Sequence, residues 1–226
     1  MSSPSEQHNL PFVSVKYAQS LDGRIATSTG DSRWISGPAS LRLAHKLRRE
    51  HDAIIVGVGT VLADDPELTV RLVKGNNPLR VVVDSRLRTP SQARVLAGGA
   101  AKGTLIATSE NADSQLASDI QKLGANLLRL PAASNGEGID LIRLLSELGH
   151  RGIASVLVEG GKSIVTSLLA ARAVDRMIVI VAPKIIGQGI ETIGDLGITR
   201  LSDAISFTSV KIRRLGADVI FDARLK

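Results

Sequence analysis

Short runs of β-branched and aliphatic residues alternate with helix-period segments along most of this chain, and that alternation constrains the fold more than any other feature. The apolar runs are FVSVKYA (12–18), AIIVGV (53–58), LRVVVD (79–84), TLIAT (104–108), NLLRL (126–130) and SVLVE (155–159). Helical patterns fall between them at 38–50, 113–123, 139–148 and 162–171. Strands that are continuously apolar need cover on both faces, and the intervening helices supply it. The pattern therefore implies an α/β protein, a three-layer α/β/α arrangement around a mostly parallel central sheet. The last third differs. RMIVIVAP (176–183) is followed by FTSVKIRRL (207–215) and ADVIFDARL (217–225), with no helical pattern between the last two, so Gly216 marks a C-terminal antiparallel hairpin. ELTVR (67–71) is also strand-like, and the polar stretch 132–138 reads as a loop.

At 226 residues and 43% hydrophobic composition the chain suits one domain, expected over 11–226, behind a disordered tail at 1–10. No apolar run reaches membrane-spanning length, and MSSPSEQHNL is too polar for a secretory signal, so a soluble, cytoplasmic protein with no membrane partner is expected. The absence of cysteine excludes disulfides and thiolate chemistry, and four histidines without an HxH or HxxxH pair give no reason to expect a metal. The net charge of +6 suggests anionic partners. Because the basic residues are dispersed and aromatics make up only 2%, small anionic ligands fit better than nucleic acid.

Two strands end in glycine turns. SVLVEGGKS (155–163) finishes like a triphosphate-binding loop, but the glycine required five residues before Gly161 is replaced by Val156 inside the apolar run. The wide phosphate-wrapping arc has no room to form, which argues against ATP hydrolysis. AIIVGV runs into Gly59-Thr60, where Leu62 replaces the third glycine of a dinucleotide fingerprint. Carboxyl ends of parallel strands are where α/β sheets bind ligands, so these turns, set side by side, would offer bare amides and a helix start to a pyrophosphate. Ordinary tight turns would look the same in sequence. After LRVVVD, a bare acid at Asp84 would favour a free ribose hydroxyl, whereas Ser85 with Arg86 or Arg88 would favour a 2′-phosphate; an exposed turn with solvated arginines reads the same way.

Other candidates are single charges. Leu41, Ala44 and Arg48 fall at i, i+3 and i+7, which places Arg48 on or beside an apolar helical stripe where its charge needs a carboxylate or a ligand phosphate. Arg71 closes ELTVR and is a second phosphate candidate. Lys16 lies within an apolar strand, Asp22-Gly23 reads as a tight turn, and Ser32, Trp34 and Ser36 lie in a loop before a helix.

Taken in order, KYAQSLDGRIA, TGDSRWIS, VGVGTVLADDPELTVR, NPLRVVVDS, VEGGKS and APKIIGQG closely resemble the reductase family of riboflavin biosynthesis. The resemblance runs from about Pro11 to Arg224. That family occurs as the second half of a bacterial deaminase-reductase and as a free-standing archaeal and fungal enzyme. It implies a dihydrofolate-reductase-like fold, a homodimer, and NADPH-dependent reduction of a ribosylaminopyrimidine 5′-phosphate to its ribitylamino form. By the same resemblance Trp34, Ser36, Thr60, Asp64 and Ser85 match cofactor positions, as do Gly160, Gly161, Lys162, Ser163 and the turn continuing to Ser167. Ser32, Arg48, Leu68, Arg71 and Glu159 match substrate positions. Lys16 and Glu159 are the candidate catalytic pair, and the lysine leans the substrate toward the deaminated uracil. No PCxxC occurs, so a zinc deaminase half is not expected. Another pteridine or folate reductase on the same fold is the alternative.

Overall fold

The structure, a computed structural model, describes residues 10–134 and 136–225. The expected tail lies outside the described residues except for Leu10, which is exposed. Eleven strands and five α-helices follow in the order β1 (Phe12–Ser20), β2 (Arg24–Thr27), α1 (Pro38–Arg49), β3 (Ala53–Gly57), α2 (Val58–Asp64), β4 (Leu79–Val83), β5 (Thr104–Ser109), α3 (Ser114–Lys122), β6 (Asn126–Leu130), α4 (Leu141–His150), β7 (Ser155–Val158), α5 (Lys162–Ala170), β8 (Arg176–Ala182), β9 (Gly189–Glu191), β10 (Phe207–Leu215) and β11 (Asp218–Leu225).

Nine of the strands form one sheet in the order β10-β11-β8-β1-β7-β3-β4-β5-β6. The seven from β8 to β6 are mutually parallel, and the last two form the antiparallel hairpin turned at Gly216. Alternation along β3 shows how both faces are filled. Ala53 and Ile55 pack in a core with α4 and α5, while Ile54 and Val56 pack on the opposite face against α2 and α3. A third cluster joins Leu47 of α1 to Leu157, Ile178 and Ile220 on the face shared by β7, β8 and β11. Each fully buried aliphatic side chain contributes about 1.5–3 kcal/mol, so this two-sided burial is what holds the layers together.

Local signals set the helix starts. Asp113 caps α3 and Asp140 caps α4 by accepting backbone amides. α1 has proline at its first position, and its start is anchored by Asp218 of β11, which accepts from the Gly37 amide at 2.9 Å and the Ser40 hydroxyl at 2.5 Å.

Three features depart from the sequence pattern. ELTVR is not a strand: Leu68 sits at φ +56°, which breaks the extended conformation, and 65–71 carries no regular structure. Leu41 is 43% exposed, so the buried side of α1 runs through Ala44, His45, Leu47 and Arg48 instead. β2 and β9 form a separate two-stranded sheet that the periodicity does not reveal, because each is four residues or fewer and its partner lies far along the chain.

Candidate functional site

Chain order reverses around β1, β7 and β3, and the carboxyl ends of these strands define a crevice. The register pairs Val15 with Val158, so Lys16 of β1 and Glu159 just after β7 lie side by side. Both face α1. There the Arg48 guanidinium grips Glu159 through two hydrogen bonds, Nε to Oε1 at 2.8 Å and Nη2 to Oε2 at 2.9 Å. The Lys16 ammonium lies 3.9 Å from Oε2, and the Lys16 and Glu159 side chains are 15% and 9% exposed. Burial alone would push the Glu159 pKa upward, but the charges of Arg48 and Lys16 and the Arg48 hydrogen bonds outweigh it and bring it down to about 2. Burial draws Lys16 below the ordinary lysine value, with Glu159 opposing and Arg48 adding to the effect. The pair is therefore a fixed carboxylate beside an ammonium that gives up its proton more readily than a free lysine.

Arg71 approaches from the segment after α2. Its guanidinium is 45% exposed and donates to Glu67 Oε2 at 2.5 Å and Thr69 Oγ1 at 2.7 Å. Arg94 reaches the other oxygen of Glu67. Arg48 Nη1 also donates to the Thr69 carbonyl at 3.2 Å, so three of its five N–H groups are engaged within the protein. The bidentate fork that a phosphate would use is occupied by Glu159, and this changes the expectation for Arg48: only its two outer N–H groups remain for a ligand. Leu68 is constrained in a similar way. Its side chain is 2% exposed and lies in the core with Val61 and Leu87, so any ligand contact must come from its backbone.

The two glycine turns are adjacent, because β3 and β7 pair in parallel and the Glu159 amide donates to the Ile55 carbonyl at 3.0 Å. Gly160 and Gly161 have φ of +99° and +91°, and both face the β3 turn. A Cβ on Gly160 would stand 3.5 Å from Thr60 Oγ1, and one on Gly161 would stand 3.6 Å from the Gly57 amide nitrogen. This is a cradle of bare backbone at the start of α5, and a side chain would fill it. Its shape and donors fit a pyrophosphate. Lys162 and Ser163 are exposed on the first turn of α5, and the Lys162 ammonium lies 3.8 Å from Glu191 of β9, turned toward the small sheet.

The remaining candidates border the crevice. Ser32 donates to Asp64 at 3.1 Å, joining the loop before α1 to the end of α2. Trp34 is 76% exposed at φ +63°, with its carbonyl held by the Lys184 ammonium, and Ser36 is half-buried beyond it. Asp84 is withdrawn from the surface: its Oδ2 accepts from the Thr89 amide at 2.7 Å and hydroxyl at 2.8 Å. Ser85 is half-buried, and Arg86 and Arg88 are exposed. Among the described residues no group of three or more histidine, cysteine, aspartate or glutamate side chains could hold a metal ion, and no helix is long and apolar enough to cross a membrane.

Sequence reasoning missed two members of this region. His45 is 2% exposed within the charged cluster and accepts the Arg71 amide at Nδ1, 2.9 Å away. Its spacing of three from Arg48 was the available signal. Asp22, read only as a turn residue, accepts the Gly187 amide at 2.6 Å and the Ile186 amide at 3.1 Å, so it ties the β1–β2 turn to the loop after β8.

A three-layer sheet with a polar crevice and a glycine cradle at its switch point defines a dihydrofolate-reductase-like α/β/α protein. A dihydrofolate reductase from Enterococcus faecalis shares the fold, with a TM-score of 0.50 at 11% identity, covering 95% of this chain and 96% of that one. The chain belongs to the RibD C-terminal domain family, which matches residues 11–221. It is 39% identical over 211 residues to the riboflavin biosynthesis protein RibD of Aquifex aeolicus, covering 93% of this chain and 56% of that protein. It is 41% identical over 221 residues to a 2,5-diamino-6-ribosylamino-4(3H)-pyrimidinone 5′-phosphate reductase of Methanothermobacter thermautotrophicus, covering 96% and 99%. Acinetobacter baumannii RibD superposes with a TM-score of 0.83 at 27% identity, covering 97% of this chain and 59% of that one. The chain thus spans little more than half the length of the RibD proteins it matches, and nearly all of the archaeal reductase.

Proposed function

We propose that this chain is one reductase domain, over residues 11–226, that uses NADPH to reduce the ribosylamino group of a pyrimidine 5′-phosphate to its ribitylamino form in riboflavin biosynthesis. The observation that supports this best is that Glu159, paired with Lys16 of β1 and Arg48 of α1, directly precedes the Gly160-Gly161 cradle at the end of β7. Gly160, Gly161 and Thr60 would hold the pyrophosphate, with Ser36, Asp64 and Ser163 around it and Trp34 at the rim. Ser85 with Arg86 or Arg88 would hold the 2′-phosphate, since Asp84 is already engaged by Thr89. Bound NADPH supplies the hydride received at C1′ of the sugar.

The protein's own share is binding and proton supply. Arg71, Ser32 and the outer N–H groups of Arg48 would take the substrate phosphate, with Glu67 giving way at Arg71. Glu159 remains a carboxylate at neutral pH, so it serves as an acceptor for pyrimidine N–H groups and not as an acid. Lys16 is the proton donor: as the ring C1′–O bond breaks and the nitrogen lone pair forms C=N, its ammonium protonates the departing ring oxygen. Hydride addition at C1′ then returns the electron pair to nitrogen, and Lys16 is reprotonated from solvent.

The test offers the diaminopyrimidinone and aminouracil ribosyl phosphates separately with NADPH and follows NADPH oxidation. Oxidation of NADPH with at least one is expected, with the aminouracil favoured because Lys16 can donate to its additional carbonyl. Oxidation only with a folate or pterin substrate would overturn the reading. The same reading makes the protein cytoplasmic and homodimeric. In support of the dimer, β10 is a nine-residue edge strand whose Val210 and Ile212 are 49% and 63% exposed.

A further inference from the structure

The segment that presents Arg71 has neither helix nor strand to hold it, and its turn at Leu68 lies in the left-handed region. Side chains fix its backbone instead. Arg48 Nη1 donates to the Thr69 carbonyl at 3.2 Å, Asn77 Oδ1 accepts the Val70 amide at 2.7 Å, and His45 Nδ1 accepts the Arg71 amide at 2.9 Å. The last of these acts on Arg71 itself. Resting on the reading of this crevice as the pocket of a phosphorylated substrate, we propose that His45 is a positioning residue for the substrate phosphate, holding the Arg71 backbone so that its guanidinium reaches the phosphate.

A backbone N–H can only donate, so Nδ1 must be unprotonated, and the neutral ring carries its proton on Nε2. The surroundings keep it that way. The charged groups facing His45 are Arg48 on its own helix, Arg71 on the segment, Lys16 from β1 and Glu159 beside β7. Burial first, then the charges of Arg48 and Arg71, lower its pKa to about 4, with Glu159 opposing. Protonation would set a donor against the Arg71 amide and place a further cation among the three already there. His45 and Arg48 lie one turn apart on the buried side of α1, so one helix face orients both Arg71 and Glu159.

The experiment compares the wild-type enzyme with His45→Leu and His45→Asn. Each is assayed with NADPH, the pyrimidine ribosyl phosphate that the wild type reduces, and the corresponding nucleoside without the phosphate. Asparagine places its carbonyl oxygen where Nδ1 stands and can still accept the Arg71 amide. His45→Leu should raise KM for the phosphorylated substrate about tenfold, equivalent to the loss of one good hydrogen bond. KM for NADPH and for the nucleoside should stay within about twofold, and His45→Asn should restore most of the loss. If His45→Leu does not fold, His45→Gln replaces it, because its carbonyl reaches the Nε2 position and misses the amide; the same ranking below asparagine is required. A folded His45→Asn no better than the leucine or glutamine variant would overturn the inference, as would equal losses with the nucleoside. Failure of the wild type to reduce either pyrimidine phosphate would instead remove the reading of the pocket, and this inference with it.

Discussion

At the scale of single residues, the site is governed by one carboxylate held between two cations. Glu159 has a folded pKa of about 2 against an ordinary glutamate value of 4.5, a depressed value, so its contribution to stability is fully present above about pH 4.5. It is lost as the pH falls from there through about 2, and denaturant unfolding across that window should show the loss, while Glu159→Gln should flatten this part of the profile. The two arginines should separate. Arg48 is buried against Glu159, and Arg48→Ala takes away both hydrogen bonds of the fork and leaves the buried carboxylate with Lys16 alone, so it should cost about 3 kcal/mol of folding stability. Arg71 is half exposed, and Arg71→Ala should leave the unfolding midpoint nearly unchanged while weakening the phosphorylated substrate by about 1.5–3 kcal/mol and sparing NADPH. Equal loss of NADPH affinity would place Arg71 at the cofactor instead. The sequence made Arg48 visible as a charge on an apolar stripe, but not its partner. The two residues are 111 apart, and only the pairing of β1, β7 and β3 brings them together.

At the scale of elements, the strand-turn-helix unit from β7 to α5 separates hydride transfer from nucleotide hydrolysis. Gly161 is the N-cap of α5 at φ +91°, where a side chain would be strained and would close on Gly57. Gly161→Val should therefore abolish NADPH binding in protein that remains folded by circular dichroism. Lys162→Ala removes only an exposed charge near Glu191 and should keep most reductase turnover. A triphosphate loop would reverse that ranking. This unit was legible because β-branched runs and paired glycines are local signals. The small sheet of β2 and β9 was not, since RIAT and GIE are too short for a period and find each other across more than 160 residues. The 65–71 segment misled for another reason. Its alternation is real, but Leu68 turns into the core through a left-handed backbone that apolar patterning does not encode.

At the scale of the whole molecule, one edge of the sheet is left open among the described residues. β10 is exposed along eight of its nine residues, and a long unpaired edge with Val210 and Ile212 outward suits pairing with a second copy. If the proposed homodimer forms through this edge, the wild type should sediment as a dimer and Ile212→Asp as a monomer; a wild-type dimer that Ile212→Asp leaves intact would place the interface elsewhere. On the proposed reading the Lys16–Glu159 end of the strands would hold the sugar and the adjacent Gly160-Gly161 cradle the cofactor, side by side for direct transfer. The most direct test follows the transferred atom: the enzyme is given NADPH deuterated at C4 of the nicotinamide, one face at a time, with the pyrimidine ribosyl phosphate. One face should deliver a single deuterium to C1′ of a ribityl chain, seen by mass spectrometry and NMR of the product. Deuterium at a pyrimidine ring carbon, or a ribosyl group returned intact while NADPH is consumed, would contradict it.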